Sequence, residues 1–115
     1  MNARTVALRM LATICVAGVC GAALQAQRSG ARKPVTHTVT IDAAQFSPAE
    51  LEIRSGDTVV WVNKDILAHT ATSTSGGFDS KVIEAGKSWK FVARTKGDFP
   101  YTCSFHPMNG RLKVR

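Results

Sequence analysis

The side chains best suited to chemistry in this chain form a set of sulfur and nitrogen donors: His69, Cys103, His106 and Met108. A thiolate, two imidazoles and a thioether suit copper better than calcium, magnesium or manganese, which prefer oxygen ligands. Two histidines and one cysteine with a weak, long axial methionine is the arrangement of blue copper electron-transfer sites. The donor types therefore predict a copper site, while zinc, which also accepts cysteine and histidine, stays open.

Cysteine usage supports a metal ligand. Of the three cysteines, the first two lie in an N-terminal segment that has two arginines ahead of an apolar run over 10–24, with Ala26 as a small residue for cleavage. These are the features of a secretory signal, so we predict a signal peptide over residues 1–26 and a periplasmic or otherwise exported protein. Once this segment is removed, Cys103 has no partner for a disulfide, which favours a metal ligand.

Length and composition limit the rest of the chain to one small domain. The apolar run is too short and too rich in glycine for a membrane anchor, so no stable membrane insertion is expected after cleavage. Residues 27–34 are polar and basic, which predicts a flexible linker. Removal of 26 residues from 115 leaves 89, too few for a separate substrate domain. We expect a monomer that is not an enzyme.

The chain is basic, with a formal net charge of +7. After residue 26, thirteen lysines and arginines face eight acidic residues, and the basic residues are spread along the sequence. This pattern is typical of a solubilising surface, and its functional alternative is attraction of an acidic partner. No nucleic-acid-binding motif accompanies the charge, so nucleic acid is not a predicted partner.

The hydrophobic pattern after residue 35 is that of short β-strands. Strands are predicted around 35–41, 51–53, 58–62, 89–93, 99–103 and 112–114, with turns at 55–57 and 96–98. No helical pattern follows residue 35, so the prediction is an all-β sandwich or barrel. Cys103 would end one strand, His106 would follow in a loop, and His69 would arrive from a separate strand.

Several segments match one known family in order. They are the strand over 56–63, the histidine segment 68–70, the segments 78–80, 86–89 and 97–103, and the Cys-x-x-His-Pro and Met-x-Gly pattern that ends the chain. Residues 35–115 thereby resemble a cupredoxin of the plastocyanin, pseudoazurin and amicyanin group. The resemblance implies a Greek-key β-sandwich with one type 1 copper ion, and an electron carrier that cycles Cu(II) and Cu(I). It assigns three strong ligands and a weak axial one: His69, Cys103, His106 and, axially, Met108.

Two departures from the family concern the site. The resemblance implies a hydrogen bond from the backbone N–H of Thr70 to the sulfur of Cys103, but relatives usually have asparagine at position 70. The threonine hydroxyl could still bond toward Ser104. In addition, one residue separates the second histidine from the methionine, where the amicyanin-like loop has two. This contraction leaves open whether the thioether of Met108 reaches the axial position.

The expected partners are redox proteins, which would dock on an apolar patch formed by Phe105 and Pro107 around His106. A copper-binding or copper-delivery protein on the same fold is the alternative function. A zinc site with an open fourth position is a second alternative. A metal-free adhesion sandwich has no positive sign in the sequence. The third histidine, His37, is predicted to be an ordinary strand residue.

Overall fold

The computed structural model describes residues 32–115. The predicted signal peptide and most of the predicted linker lie outside this range. In order along the chain the strands are β1 (Thr36–Asp42), β2 (Gln45–Ser47), β3 (Glu50–Ile53), β4 (Thr58–Asn63), β5 (Thr72–Ser73), β6 (Ser88–Val92), β7 (Gly97–Thr102) and β8 (Asn109–Val114). No helix within 32–115 has the length and apolar character needed to cross a membrane.

The strands form two four-stranded sheets. One sheet has the order β2-β1-β4-β6 and the other β3-β8-β7-β5. β1 pairs with β4 and β3 pairs with β8 in parallel, and the other pairs are antiparallel. This architecture confirms the predicted all-β sandwich.

The core is built on β4, whose side chains alternate between the interior and a half-buried face. Trp61 is fully buried and lies at the centre of an aromatic cluster, as its apolar surroundings in the sequence predict. Its ring centroid lies 5.4 Å from those of Phe78 and Trp89 and 5.6 Å from that of Tyr101. Offset and edge contacts of this kind stabilise a core beyond the area that they bury.

A glycine in the C-terminal strand makes room for an aromatic ring on the neighbouring strand. Gly110 in β8 pairs directly with Tyr101 in β7. A Cβ atom at position 110 would overlap the phenol ring of Tyr101. The absence of a side chain therefore lets the ring lie across β8, which explains why a glycine stands two residues after Met108.

The prediction located six of the eight strands. It missed β2 and β5, which have three and two residues and are too short to show a period. The predicted turn at 96–98 was wrong in its position, since Gly97 and Asp98 already pair with β8. The predicted strand for His69 was also wrong, because this residue forms an isolated bridge with Ile83 outside the named strands.

A buried carboxylate closes the end of the sandwich that lies away from the metal ligands. Asp57 is 2% exposed and accepts hydrogen bonds from the backbone N–H groups of Val35 and Arg54 at 2.9 and 3.2 Å. Oδ2 of Asp57, which accepts the N–H of Arg54, also lies 3.0 Å from Nε2 of His37, which belongs to β1. His37 therefore lies in a strand, as predicted, and its ring contacts this carboxylate.

We predict that Gly110→Ala destabilises the protein by about 1–3 kcal/mol, because the new methyl group displaces the ring of Tyr101 from a packed core. Chemical denaturation of the metal-free protein measures this change. Lys113→Ala, an exposed substitution in the same strand, serves as the control. Equal stability of the two variants would contradict the role assigned to the glycine.

Candidate metal centre

Three of the four predicted ligands converge on one point. The Nδ1 atoms of His69 and His106 lie 3.1 Å apart, and they lie 3.7 and 3.8 Å from Sγ of Cys103. A trigonal centre with bonds of about 2.0 Å to nitrogen and about 2.3 Å to sulfur needs nitrogen–sulfur separations of about 3.7 Å and a nitrogen–nitrogen separation of about 3.5 Å. The nitrogen–sulfur distances match these values, and the nitrogen–nitrogen distance of 3.1 Å is shorter, so a single metal ion fits with a narrower angle between the two nitrogens.

The C-terminal ligands lie on a short loop that begins where β7 ends. Cys103 follows the last residue of β7, and its N–H donates to the carbonyl of Met108 at 3.3 Å. The N–H of Met108 donates to the carbonyl of His106 at 2.8 Å, which closes a three-residue turn centred on Pro107. The proline ring holds φ near −65°, close to the value that an inverse γ-turn requires. Proline thus explains how the contracted loop closes.

Met108 is buried at the base of this loop, with 3% of its surface exposed. It lies directly before β8, and its carbonyl accepts the N–H of Cys103. Its burial and its place in the ligand loop are compatible with the predicted axial role, which stays a prediction.

His69 comes from the long connection between β4 and β5. Its backbone exchanges two hydrogen bonds with Ile83, at 3.1 and 2.8 Å, so this segment is anchored although it is not part of a strand. The side chain is completely buried, whereas that of His106 is partly exposed. The two imidazoles therefore differ in their access to solvent.

The surroundings of the thiol favour its ionised form. Burial raises the pKa of Cys103, but the N–H groups of Phe105 and Thr70, each 3.4 Å from the sulfur, and the two imidazoles outweigh burial and lower the pKa to about 6. The thiolate is the form that binds metals. The hydrogen bond from Thr70, expected from the family resemblance, is confirmed.

The hydroxyl of Thr70 links the two ligand segments. It accepts the N–H of Ser104 at 2.8 Å and donates to the Ser104 hydroxyl at 3.1 Å. It also lies 3.0 Å from the hydroxyl of Thr72. The expectation that threonine at position 70 bonds toward Ser104 is therefore confirmed.

Sequence reasoning missed one residue at the site. Oδ2 of Asp65 lies 2.9 Å from Nε2 of the completely buried His69. The hydrogen bond to His69 is the main cause of a lowered pKa at Asp65, with the N–H of Ala44 next. The only sequence signal was an acidic residue four positions before a histidine, a spacing that predicts a contact only on a helix.

We predict that the thiol of the metal-free protein ionises near pH 6, well below its ordinary value of 9.0. Because the pKa is lower in the folded than in the unfolded state, this group adds stability that is complete above about pH 9 and is lost as the pH falls through 6. Ultraviolet absorbance of the thiolate and denaturation at several pH values measure the two effects.

Cys103→Ser is the control for this titration. This variant should lack the absorbance change of the thiolate. It should also lack the part of the pH dependence of stability that lies between about pH 6 and pH 9. A thiol that titrates near 9 in the folded protein would contradict the geometry described above.

Comparison with known proteins gives a consistent result. The sequence model of the cupredoxin-like domain matches residues 11–114. Amicyanin of Paracoccus versutus is 26% identical over 82 residues, which are 66% of this chain and 62% of that protein. Amicyanin-alpha of Methylorubrum extorquens is 27% identical over an alignment of 121 residues that covers 99% of both chains.

A solved structure agrees with these similarities. The purple cupredoxin from Nitrosopumilus maritimus superposes with a TM-score of 0.63 and 31% identity, over 69% of this chain and 99% of that chain. The donor set of two histidines, one cysteine and one methionine is consistent with one type 1 copper ion. The chain therefore belongs to the cupredoxin-like family.

Proposed function

We propose that this protein is an exported mononuclear blue copper protein that carries single electrons between redox partners. His69, Cys103 and His106 would be the strong ligands and Met108 the weak axial one. The observation that carries the proposal is the convergence of two Nδ1 atoms and a stabilised thiolate within 4.8 Å of one another. When bound, copper would supply a one-electron couple, and the residues of the chain would fix the arrangement of the donors around it.

The way the donors are held suits electron transfer, because a carrier must change shape little when its metal changes charge. Hydrogen bonds from Thr70 to Ser104 join the two ligand segments. The bridge to Ile83 anchors one of them, and the turn at Pro107 closes the other. Few of these contacts depend on an ion, so the site is largely preorganised.

Exposed apolar side chains lie on the segments that carry the ligating histidines and on the segment that pairs with His69. Phe105, next to it in the chain, is 53% exposed, and Ile66, three residues before His69, is 90% exposed. Leu67 and Val82, which adjoin the histidine segment and its bridge partner, are each 49% exposed. We call Ile66, Leu67, Val82, Phe105 and Pro107 the apolar rim. It supports docking of a redox partner close to the metal, in a small and transient contact.

The charge of the chain supports an acidic partner. Thirteen basic residues against eight acidic ones follow the predicted signal peptide. A positive carrier meets an acidic partner faster, most of all at low salt. Export to the periplasm and a monomeric carrier remain part of the proposal, and both rest on the first 26 residues and the size of the domain.

Reconstitution with Cu(II) tests the function. We expect an intense thiolate-to-copper absorption band, a type 1 electron paramagnetic resonance spectrum and reversible reduction, because thiolate and imidazole donors in a trigonal arrangement produce these properties. Cys103→Ser should abolish the band, and Met108→Ala should shift the potential and the resonance parameters.

His37→Ala is the control. It removes a histidine of β1 that contacts Asp57 and is not a predicted ligand, so it should leave the colour unchanged. A colourless protein whose Cu(I) exchanges readily would favour copper delivery. Zinc in protein purified from its native compartment would contradict a copper carrier. An unchanged spectrum and potential in Met108→Ala would exclude this residue as the axial ligand.

The rate of electron self-exchange between oxidised and reduced copies tests the docking surface without a known partner. Phe105→Lys should lower this rate about tenfold, a barrier increase of about 1.4 kcal/mol, because it places a charge where two positive molecules meet. Line broadening in nuclear magnetic resonance spectra measures the exchange.

Val92→Lys adds the same charge on an exposed residue of β6 and provides the matched control. Val92 pairs with Thr58, at the end of β4 opposite to the one that leads to His69. Equal rates in the two variants would show that the apolar rim is not the contact surface.

A further inference from the structure

We propose that Asp65 is a positioning residue of the metal site, which holds His69 in the ligating tautomer and favours Cu(II) over Cu(I) through its negative charge. This inference rests on the proposed function for its redox part, and on the protein alone for its tautomer part. It concerns a contact between side chains four residues apart, outside any helix.

The tautomer follows from the direction of the hydrogen bond. An ionised carboxylate can only accept, so the proton in the 2.9 Å contact with Oδ2 of Asp65 belongs to Nε2 of His69. A neutral imidazole with its proton on Nε2 has a free electron pair on Nδ1. Nδ1 is the atom that faces Cys103 and His106, at 3.7 and 3.1 Å. The carboxylate therefore prepares the nitrogen that a metal needs.

The carboxylate is itself held in place by the backbone. Oδ2 also accepts the N–H of Ala44 at 3.0 Å, and Oδ1 accepts the N–H of Ile66 at 2.8 Å. Ala44 has a left-handed conformation with φ of 56°, which a residue with a Cβ atom rarely adopts. The side chain of Asp65 is only 13% exposed. A carboxylate with these contacts has little freedom to turn away from His69.

The segment that carries both residues is tied down by a buried amide. Asn63 is fully buried, and its Oδ1 accepts the N–H of Asp65 at 2.9 Å. Its Nδ2 donates to the carbonyls of Leu67 and Ile83 at 2.8 and 2.9 Å. Ile83 in turn pairs with the backbone of His69. The amide thus fixes the separation between the carboxylate and the imidazole.

The two histidines are not held equally. Among residues 32–115, the hydrogen-bonding contacts of the His106 ring are those of Nδ1, on the side that faces the site. Of these two histidines, only His69 contacts a carboxylate. Its imidazole is therefore held in one orientation by a group outside the donor set, whereas these contacts of the His106 ring are with the other two donors.

The charge of Asp65 should act on the redox equilibrium. A negative charge one imidazole away from the metal is attracted more strongly to a divalent than to a monovalent ion. Hydrogen bonds to the far nitrogen of a ligating histidine also increase its strength as a donor. Both effects stabilise Cu(II) relative to Cu(I) and lower the reduction potential.

The test compares Asp65→Asn with Asp65→Ala. Asparagine keeps an oxygen acceptor and the size of the side chain but removes the charge, whereas alanine removes both. In Asp65→Asn we expect the ratio of Cu(II) to Cu(I) affinity to fall about tenfold, which raises the potential by about 59 mV. In Asp65→Ala we expect the Cu(II) affinity to fall by about 10–100-fold. Voltammetry and competition with a chelator measure these quantities.

Nitrogen chemical shifts of the His69 ring in metal-free protein at pH 8 give a readout without copper. The Nε2-protonated tautomer should be the main form in the original protein and in Asp65→Asn, and a mixture should appear in Asp65→Ala. Asp98→Asn is the matched control, since it removes the same charge from an exposed ion pair with Arg111, at the far end of β7.

The outcomes separate the two proposals. An unchanged tautomer in Asp65→Ala would overturn the positioning role, whatever metal the protein binds. An equal shift of potential in Asp65→Asn and Asp98→Asn would overturn the specific effect of the charge. If copper is not bound as proposed, the tautomer result still stands as a test of the contact.

Discussion

The structure of the site depends on one thiolate that is stabilised inside the protein. Burial alone would keep the Cys103 thiol protonated, since only 6% of this residue is exposed. Two backbone N–H groups, from Thr70 and Phe105, approach it from the two ligand segments. The same contacts that favour the charged sulfur therefore bring the histidines close to it. The stabilisation of the thiolate and the conformation of the two ligand segments therefore depend on the same hydrogen bonds.

This constraint explains why the surrounding residues are polar in an otherwise apolar sandwich. Asn63, Asp65 and Thr70 each join backbone or side-chain groups that would otherwise be free to move apart. Buried polar groups are stable only when their hydrogen bonds are made, so a network of this kind holds its members in one arrangement. The aromatic cluster around Trp61 supplies the apolar packing beneath it.

The predicted and observed strands agree best where a strand is long enough to show its hydrophobic pattern. β1 and β6 were predicted from alternation and β4 from a run of β-branched and aromatic residues, whereas β2 and β5 are too short to show a pattern. The ligands were identified because cysteine, histidine and methionine have few other uses in such a cluster. Asp65 was missed because most acidic residues in polar loops are simply solvated. Only the position of the His69 ring next to its carboxylate shows a role at the site.

The amino-acid sequence by itself determined the fold class, the candidate donor side chains and their suitability for copper, since each follows from periodicity or from the chemistry of side chains. Only the tertiary structure decided which nitrogen of each imidazole faces the sulfur and how Pro107 closes the short loop. It also decided that Asp65 contacts His69. The approach of His69 to the sulfur depends on the distance between segments far apart in the chain. The contacts of Pro107 and Asp65 are local, but they depend on loop conformations that pairing and packing set only once the sandwich has formed.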